Sequence, residues 1–239
     1  MKKTLLTITL CLGALLANAD NYSTASLSYD NMHLQYGSNF GEDEGLFMMG
    51  QEGNGMSLNG FGLQYSYGFG LGKLPMNLEV GLKWNMIFNQ TSEKDYDYDY
   101  DTKYIFEEKF NTRFMRLSIP ISYIYHFNLK NNIVVAPYAG VDLRFNLLGS
   151  TTYKYIESDK YGKVTEEEKW NYFSKEDMDD ATFNRFQFGW HLGVRLEYTK
   201  IFLGLEYGTD FNPLFSYKDD IYKEHINTGN FSLNIGYKF

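Results

Sequence analysis

The chain has 239 residues, a formal charge of −8, 18% aromatic residues, 22 glycines and only 4 prolines. An acidic balance with no basic patch excludes a nucleic-acid partner, whose phosphates need clustered Lys and Arg. A single cysteine excludes a disulfide framework, and no stretch reaches the roughly 18 uncharged apolar residues of a membrane helix.

Lys2-Lys3, the uncharged run Leu5 to Leu16 and the small-x-small tripeptide Ala17-Asn18-Ala19 read as a secretory signal peptide, with cutting expected before Asp20. Cys11 lies in this leader without lipoprotein-type small residues before it, so no cysteine chemistry is expected after cleavage. The expected division is a signal peptide over 1–19 and one β-barrel domain over 20–239, with a charge of −10 once Lys2 and Lys3 are removed.

Beyond the leader, apolar and polar residues alternate with period two in eight segments. They run roughly Ser26–Tyr36, Leu58–Phe69, Asn77–Phe88, Thr112–Phe127, Ile133–Leu147, Phe183–Tyr198, Ile201–Phe211 and Asn230–Phe239. Period two is the mark of a strand with two unlike faces. In the first segment Leu27 and Tyr29 have one parity and Met32, Leu34 and Tyr36 the other, which predicts a bulge near Asp30-Asn31. Pro120 and Pro137 fall inside the fourth and fifth segments at similar distances from the turn between them, which predicts a shared kink.

Connections between the segments alternate without exception. Gly37–Ser57, Asn89–Asn111, Leu148–Thr182 and Asn212–Gly229 are long and hold 23 of the 30 acidic residues, whereas Gly70–Met76, Asn128–Asn132 and Thr199-Lys200 are short. Such sorting fits an eight-stranded antiparallel up-and-down transmembrane β-barrel in the outer membrane of a Gram-negative bacterium, with both termini in the periplasm. A sandwich does not sort its loops this way.

The faces agree. In the third segment Leu78, Val80, Leu82, Trp84, Met86 and Phe88 oppose Asn77, Glu79, Gly81, Lys83 and Asn85. A lipocalin-like soluble barrel would carry full-size Lys and Glu on its water face; here that face is Gly, Ser and Asn with isolated charges, which suits a cramped lumen. Glu79, Lys83, Arg116, Asp142, Arg144, Arg195, Glu197 and Glu206 share the inward parity, so an internal salt-bridge network is expected. Tyr65, Tyr67, Tyr123, Tyr125 and Tyr198 read as interfacial girdle residues.

The chain ends Phe231-Ser-Leu233-Asn-Ile235-Gly-Tyr237-Lys-Phe239, with every second residue large and apolar. Such an ending resembles the closing strand of an outer-membrane barrel, where Phe231, Leu233, Ile235, Tyr237 and Phe239 would serve as signal to the barrel assembly machinery. Further matching stretches are Leu117-Ser-Ile119-Pro120 with Tyr123 and Tyr125, Ala136-Pro137-Tyr138-Ala139-Gly140, Phe188-Gly189-Trp190-His191-Leu192-Gly193 and Leu203-Gly204-Leu205-Glu206-Tyr207. With these the chain resembles the outer-membrane β-barrel domain family common in Bacteroidetes, the PorT-like group. The resemblance implies outer-membrane residence, contact with outer-membrane lipid and no single activity. Asn234 stands where the usual assembly signal has Gly, with Gly at 236 instead.

Candidate chemistry is sparse. Asp95, Asp97, Asp99 and Asp101 alternate with tyrosines in the second long connection. They read as a solvated acidic loop, a Ca²⁺ site being the sharper alternative. Ser122 near His126, and Glu197 near His191, suggest a lipid hydrolase of the lipid A deacylase kind; interior hydrogen-bonding histidines are the plainer reading. His33 and His225 complete no metal-ligand spacing, and no cofactor is expected. Glu166-Glu167-Glu168 with Trp170, Tyr172 and Phe173 mark a possible contact surface or a solvated loop. The expected role is structural, adhesive or partner-binding through the long connections, and not that of a diffusion porin. Alternatives are the hydrolase, a secretion-associated component and a lipocalin-like ligand carrier.

Overall fold

The computed structural model describes residues 21–38, 55–72, 74–99, 102–174, 182–218 and 223–239. Within them twelve strands run in chain order: β1 Tyr22–Ser38, β2 Gly55–Gly70, β3 Met76–Asp99, β4 Thr102–Tyr125, β5 Phe127–Asn128, β6 Ile133–Ser158, β7 Lys163–Asn171, β8 Thr182–Phe183, β9 Phe186–Tyr198, β10 Ile201–Asp210, β11 Phe215–Lys218 and β12 Lys223–Lys238. Eight of them close an antiparallel ring in the order β1-β2-β3-β4-β6-β9-β10-β12, and β12 returns to β1 from Thr24↔Lys238 to Ser38↔Glu224. Closure leaves no edge unpaired, which a barrel in lipid requires. The residues of the expected signal peptide lie outside the described residues.

The apolar faces point outward. Leu27, Leu63, Leu82, Leu192, Leu196, Leu203, Leu205, Leu233 and Ile235 are exposed around the ring, and Tyr65, Tyr67, Tyr123, Tyr198 and Tyr237 are exposed towards its short-turn end. This is the lipid-facing band with an aromatic girdle, and it rules out a lipocalin-like barrel with its apolar faces inward. At the short-turn end Asn131 and Asn132 reverse the chain at φ 62° and 59°, the left-handed region that Asn tolerates best among non-glycine residues.

Three expectations are corrected. First, β1 keeps one parity throughout, and its pairing with β2 and β12 shows no register shift. Met32, Leu34 and Tyr36 are buried inside the barrel, so the change of pattern marks a change of lumen polarity and not a bulge. The bulge lies elsewhere: Met115 pairs with Leu148 and Arg116 with Asn146, leaving Leu147 as the extra residue.

Second, the prolines share no kink. Pro120 faces the lumen opposite Asp142, while Pro137 faces outward opposite Val194. Pro120 lacks a donor, and the β3–β4 ladder is interrupted beside it, between Val80↔Ile121 and Lys83↔Ser118.

Third, the acidic stretch through Asp95 and Asp97 is strand. β3 and β4 pair without a break from Lys83↔Ser118 to Asp99↔Thr102. Alternating Tyr, Thr, Phe and Ile favour this extended state. β6 likewise runs on to Ser158, and Asp159 caps the turn into β7 by accepting from the amides of Tyr161 and Gly162, both at 2.8 Å. A four-stranded sheet β3-β4-β6-β7 therefore projects beyond the ring.

Candidate functional site

The lumen is built in two layers. Nearest the short turns it is polar. Arg195 grips Glu79 with two parallel bonds of 3.0 Å, and the Tyr22 hydroxyl donates to the same carboxylate at 3.1 Å. Lys83 reaches Asp30 at 2.7 Å and Ser232 at 2.9 Å. Lys238 pairs with Glu197 at 3.0 Å, and Tyr138 donates to Glu206 at 3.1 Å. Deeper in, Arg144 bonds Asp142 at 2.6 Å and also Asp210, while Arg116 bonds Asn146 at 2.8 Å and Gln187 at 2.6 Å and lies 3.6 Å from Asp210.

All eight residues assigned by parity to the interior thus lie in one connected lumen. Their partners Asp30 and Asp210 were not foreseen. Asp30 was hidden by the supposed bulge, and Asp210 sits at the last residue of β10. The signal that finds both is parity carried unbroken to the strand ends.

Small residues let these groups meet. Ser122, Gly140 and His191 stand side by side on β4, β6 and β9. A Cβ on Gly140 would lie 2.7 Å from His191 Nε2, so its absence opens the path for the 2.8 Å bond from Ser122 Oγ to that nitrogen. Gly189 stands in the same way between Asp142 and Asp210, where a Cβ would press on both Arg144 and Asp210 at 2.7 Å. Polar groups two strands apart are bonded over a glycine on the strand between.

His191 Nδ1 lies 2.9 Å from Asp142 Oδ2. Ser122, His191 and Asp142 therefore form a hydroxyl–imidazole–carboxylate chain, the connectivity that activates a nucleophile in hydrolases. The expected partners differ: Ser122 joins His191 instead of His126, and His126 lies 3.7 Å from Glu197. Asp142 is shared with Arg144. Ser122 is 6% and His191 1% exposed, and the cavity beside Ser122 measures about 10 Å³. That is room for about one water and for no acyl chain.

Above the polar layer the lumen turns apolar. Met32, Leu34, Met56, Leu58, Ile87, Phe114 and Ile226 from the ring pack with Tyr172, Phe183, Leu214 and Phe215 from the long connections. Tyr172 stacks on Phe183 with centroids 4.6 Å apart, and Leu214 is tied by its amide to the Ile226 carbonyl at 2.7 Å. This plug closes the lumen from the long-connection end. Beside Asp30 and Arg116 the lumen holds a cavity of about 30 Å³, and at the short-turn mouth a cavity of about 700 Å³ opens beside Tyr22, Asn77, His126, Glu197 and Lys238.

The projecting sheet has two unlike faces. The face continuous with the lumen carries Glu93, Asp95, Asp97, Glu108, Glu157, Glu166 and Glu168 and no Lys or Arg among the described residues. Between the carboxylates runs a path of rings: Tyr104–Phe106–Tyr155, and Phe110–Tyr153–Trp170 with centroids 4.9 and 6.0 Å apart. Partial burial, with the hydroxyl donating to Glu108 at 3.0 Å, pushes the Tyr153 phenol up to about 12.

The opposite face carries Lys94, Lys103, Lys109, Arg113, Lys154, Lys163 and Lys169 against, among the described residues, Glu107 and Glu167. Glu107 bridges Lys109 and Lys94, both at 3.1 Å, and the Lys109 bond chiefly holds its carboxyl below the usual range. No group of three or more His, Cys, Asp or Glu suited to a metal ion occurs among the described residues, and Asp101 of the alternating carboxylates lies outside them.

Comparison with known proteins agrees with this architecture. The family model described as "Outer membrane protein beta-barrel domain" matches residues 4–239. The chain belongs to that family. It is thereby placed in the outer membrane. Similar solved structures include Ail, the attachment invasion locus protein of Yersinia pestis, at 13% identity over 92% of this chain and 99% of that one, with a TM-score of 0.35. Neisserial surface protein A follows at 16% identity over 90% and 97%, with a TM-score of 0.36. The outer membrane enzyme PagL stands at 11% identity over 92% and 99%, with a TM-score of 0.30. No curated protein matches the sequence.

Proposed function

We propose that this barrel is a non-porin mount whose long-connection end faces the cell exterior and whose projecting sheet engages a cationic protein partner. The observation that carries the reading is the lumen-side face of the sheet, where seven carboxylates flank stacked rings with no basic residue among the described ones. Carboxylates steer Lys and Arg from a distance, and ring faces hold them at contact. β1 begins and β12 ends at the opposite end, which this reading assigns with both termini to the periplasm, and Phe231, Leu233, Ile235 and Tyr237 on β12 with Phe239 after it act as the assembly signal. Among the described residues the lumen beside Asp30 and beside Ser122 holds cavities of only about 30 and 10 Å³, which supports a filled interior in place of an aqueous channel.

Co-purification from envelope fractions tests the reading. Wild type should retain a basic protein that the variant Glu93→Gln/Asp95→Asn/Asp97→Asn/Glu166→Gln/Glu168→Gln loses at low salt. A partner held equally by both removes this face from the function. The resemblance to the PorT-like group favours a secretion-associated partner, which the same experiment would identify.

A lipid hydrolase is the second reading, favoured by the Ser122–His191–Asp142 chain. It requires the polar layer around Ser122 to open, since the cavity there, walled by Glu79, Tyr138, Arg195 and Glu206, admits about one water. Mass spectrometry of lipid A acyl chains, with and without the gene, separates the two readings.

A further inference from the structure

We infer that the basic face of the projecting sheet docks on the anionic headgroup layer of the membrane, with Arg113, Lys169, Lys109 and Lys154 as its phosphate ligands. This inference concerns the face opposite the one proposed for a protein partner and stands whether or not that partner exists.

The face is continuous with the lipid-facing band. On β4 the outward residues run Tyr123, Ile121, Ile119, Leu117 and Met115 and then change, without a break in the strand, to Arg113 and Lys109. Arg113 pairs with Phe88, an outward aromatic that is 51% exposed at the top of the band on β3. Lys169 stands two residues higher, opposite Thr152, and Lys109 and Lys154 stand four residues higher. Four residues are about 13 Å of strand, or roughly 10 Å of height at a tilt near 40°. That is the layer of polar headgroups just outside the hydrocarbon.

Lys109 and Lys154 lie directly opposite each other on neighbouring strands. Like charges so placed repel. Glu107 and Glu167 offset this only from the flanks, at 3.1 and 2.8 Å. A phosphate between the two ammonium groups relieves the repulsion, and Arg113 adds a guanidinium that binds phosphate through two parallel bonds. Outward positions above the band on β1, β2 and β12 carry His33, Gln35, Ser57 and Asn227 instead. Within four residues of the band these three strands present no outward Lys or Arg among the described residues, Lys223 of β12 lying eight residues beyond Phe231. The carboxylates of the other face are repelled by the same headgroups, so charge sorting turns the sheet one way only.

The test uses the full chain refolded in phosphatidylcholine vesicles with a trace of spin-labelled phosphatidic acid or spin-labelled phosphatidylcholine. Electron spin resonance measures the fraction of each label immobilised at the protein. Wild type should associate with phosphatidic acid about fivefold more strongly than with phosphatidylcholine, the effect expected of roughly one well-placed cation, and the preference should fall with added salt. Arg113→Gln/Lys169→Gln/Lys109→Gln/Lys154→Gln should abolish it, and Glu166→Gln/Glu168→Gln should leave it intact. No preference in wild type, or an undiminished one in the fourfold variant, overturns the inference. If the fourfold variant fails the boiled-against-unboiled gel shift, Lys109→Gln/Lys154→Gln alone must still lower the preference. The wild-type salt series decides independently of any variant.

Discussion

In the lumen, carboxylates and cations from different strands are interleaved, each carboxylate within bonding reach of a cation or a hydroxyl. On the projecting sheet the same residue types are sorted onto opposite faces, seven carboxylates on one side and seven cations on the other. The difference follows from solvent. A charge removed from water must be compensated locally, because an unpaired buried ion is costly. A charge left in water is screened, so the sheet is free to hold uncompensated charge where recognition needs it.

The sharpest way to break this contrast is to remove one member of a lumen pair. Glu79→Ala leaves the Arg195 guanidinium buried against the Phe202 and Tyr138 rings without its bonded carboxylate, and should lower stability by about 3–5 kcal/mol, read as a fall in the urea midpoint of the folded, fast-migrating gel band. Glu79→Leu/Arg195→Leu should recover most of that loss, since the net worth of a buried pair against apolar residues is near zero. Glu107→Ala on the sheet should shift the midpoint immeasurably. A large effect there would show that the sheet's charges are structural after all.

The next test concerns the glycine between Ser122 and His191. Gly140→Ala places a methyl against the Ile121 carbonyl and His191 Nε2, and should cost about 1–3 kcal/mol through overpacking. Ser122→Ala removes only the hydroxyl and should cost about 1 kcal/mol, with lipid A acylation unchanged. Loss of an acyl-chain difference in Ser122→Ala cells would instead revive the hydrolase reading.

Much of this molecule was legible as parity. Period two, alternating connection lengths and the sorting of small polar from large apolar residues led to the eight-stranded ring, because each reports which side of a strand meets lipid. Three features were not legible, for separate reasons. Met32, Leu34 and Tyr36 looked out of phase because the lumen itself changes from polar to apolar along β1, so polarity stopped reporting direction. Asp95 and Asp97 looked like loop because charge is read as solvated coil, although the intervening tyrosines kept strand periodicity. The chain Ser122–His191–Asp142 joins residues up to 69 positions apart, and only the register across Gly140 brings them together. Sequence spacing paired Ser122 with His126, which lies at the mouth of the barrel instead.

The smallest predicted effect examines the border between the two regimes. Tyr153 sits on the acidic face near where the sheet leaves the ring, partly shielded by Trp170 and Phe110 and bonded to Glu108 at 3.0 Å. Its phenol is raised from 10.0 to about 12, first by desolvation and then by the Glu108 bond. A raised folded-state value means that the neutral phenol is favoured by the fold. That contribution is fully present below pH 10 and is lost as the pH climbs through about 12. The difference in ultraviolet titration between wild type and Tyr153→Phe should therefore show one tyrosinate step centred near 12. Glu108→Gln should move that step down, because the acceptor no longer carries the charge that opposes ionisation. A step at 10 in both proteins would mean that water already reaches this ring freely, and that the shielded regime ends lower on the strand, at the plug.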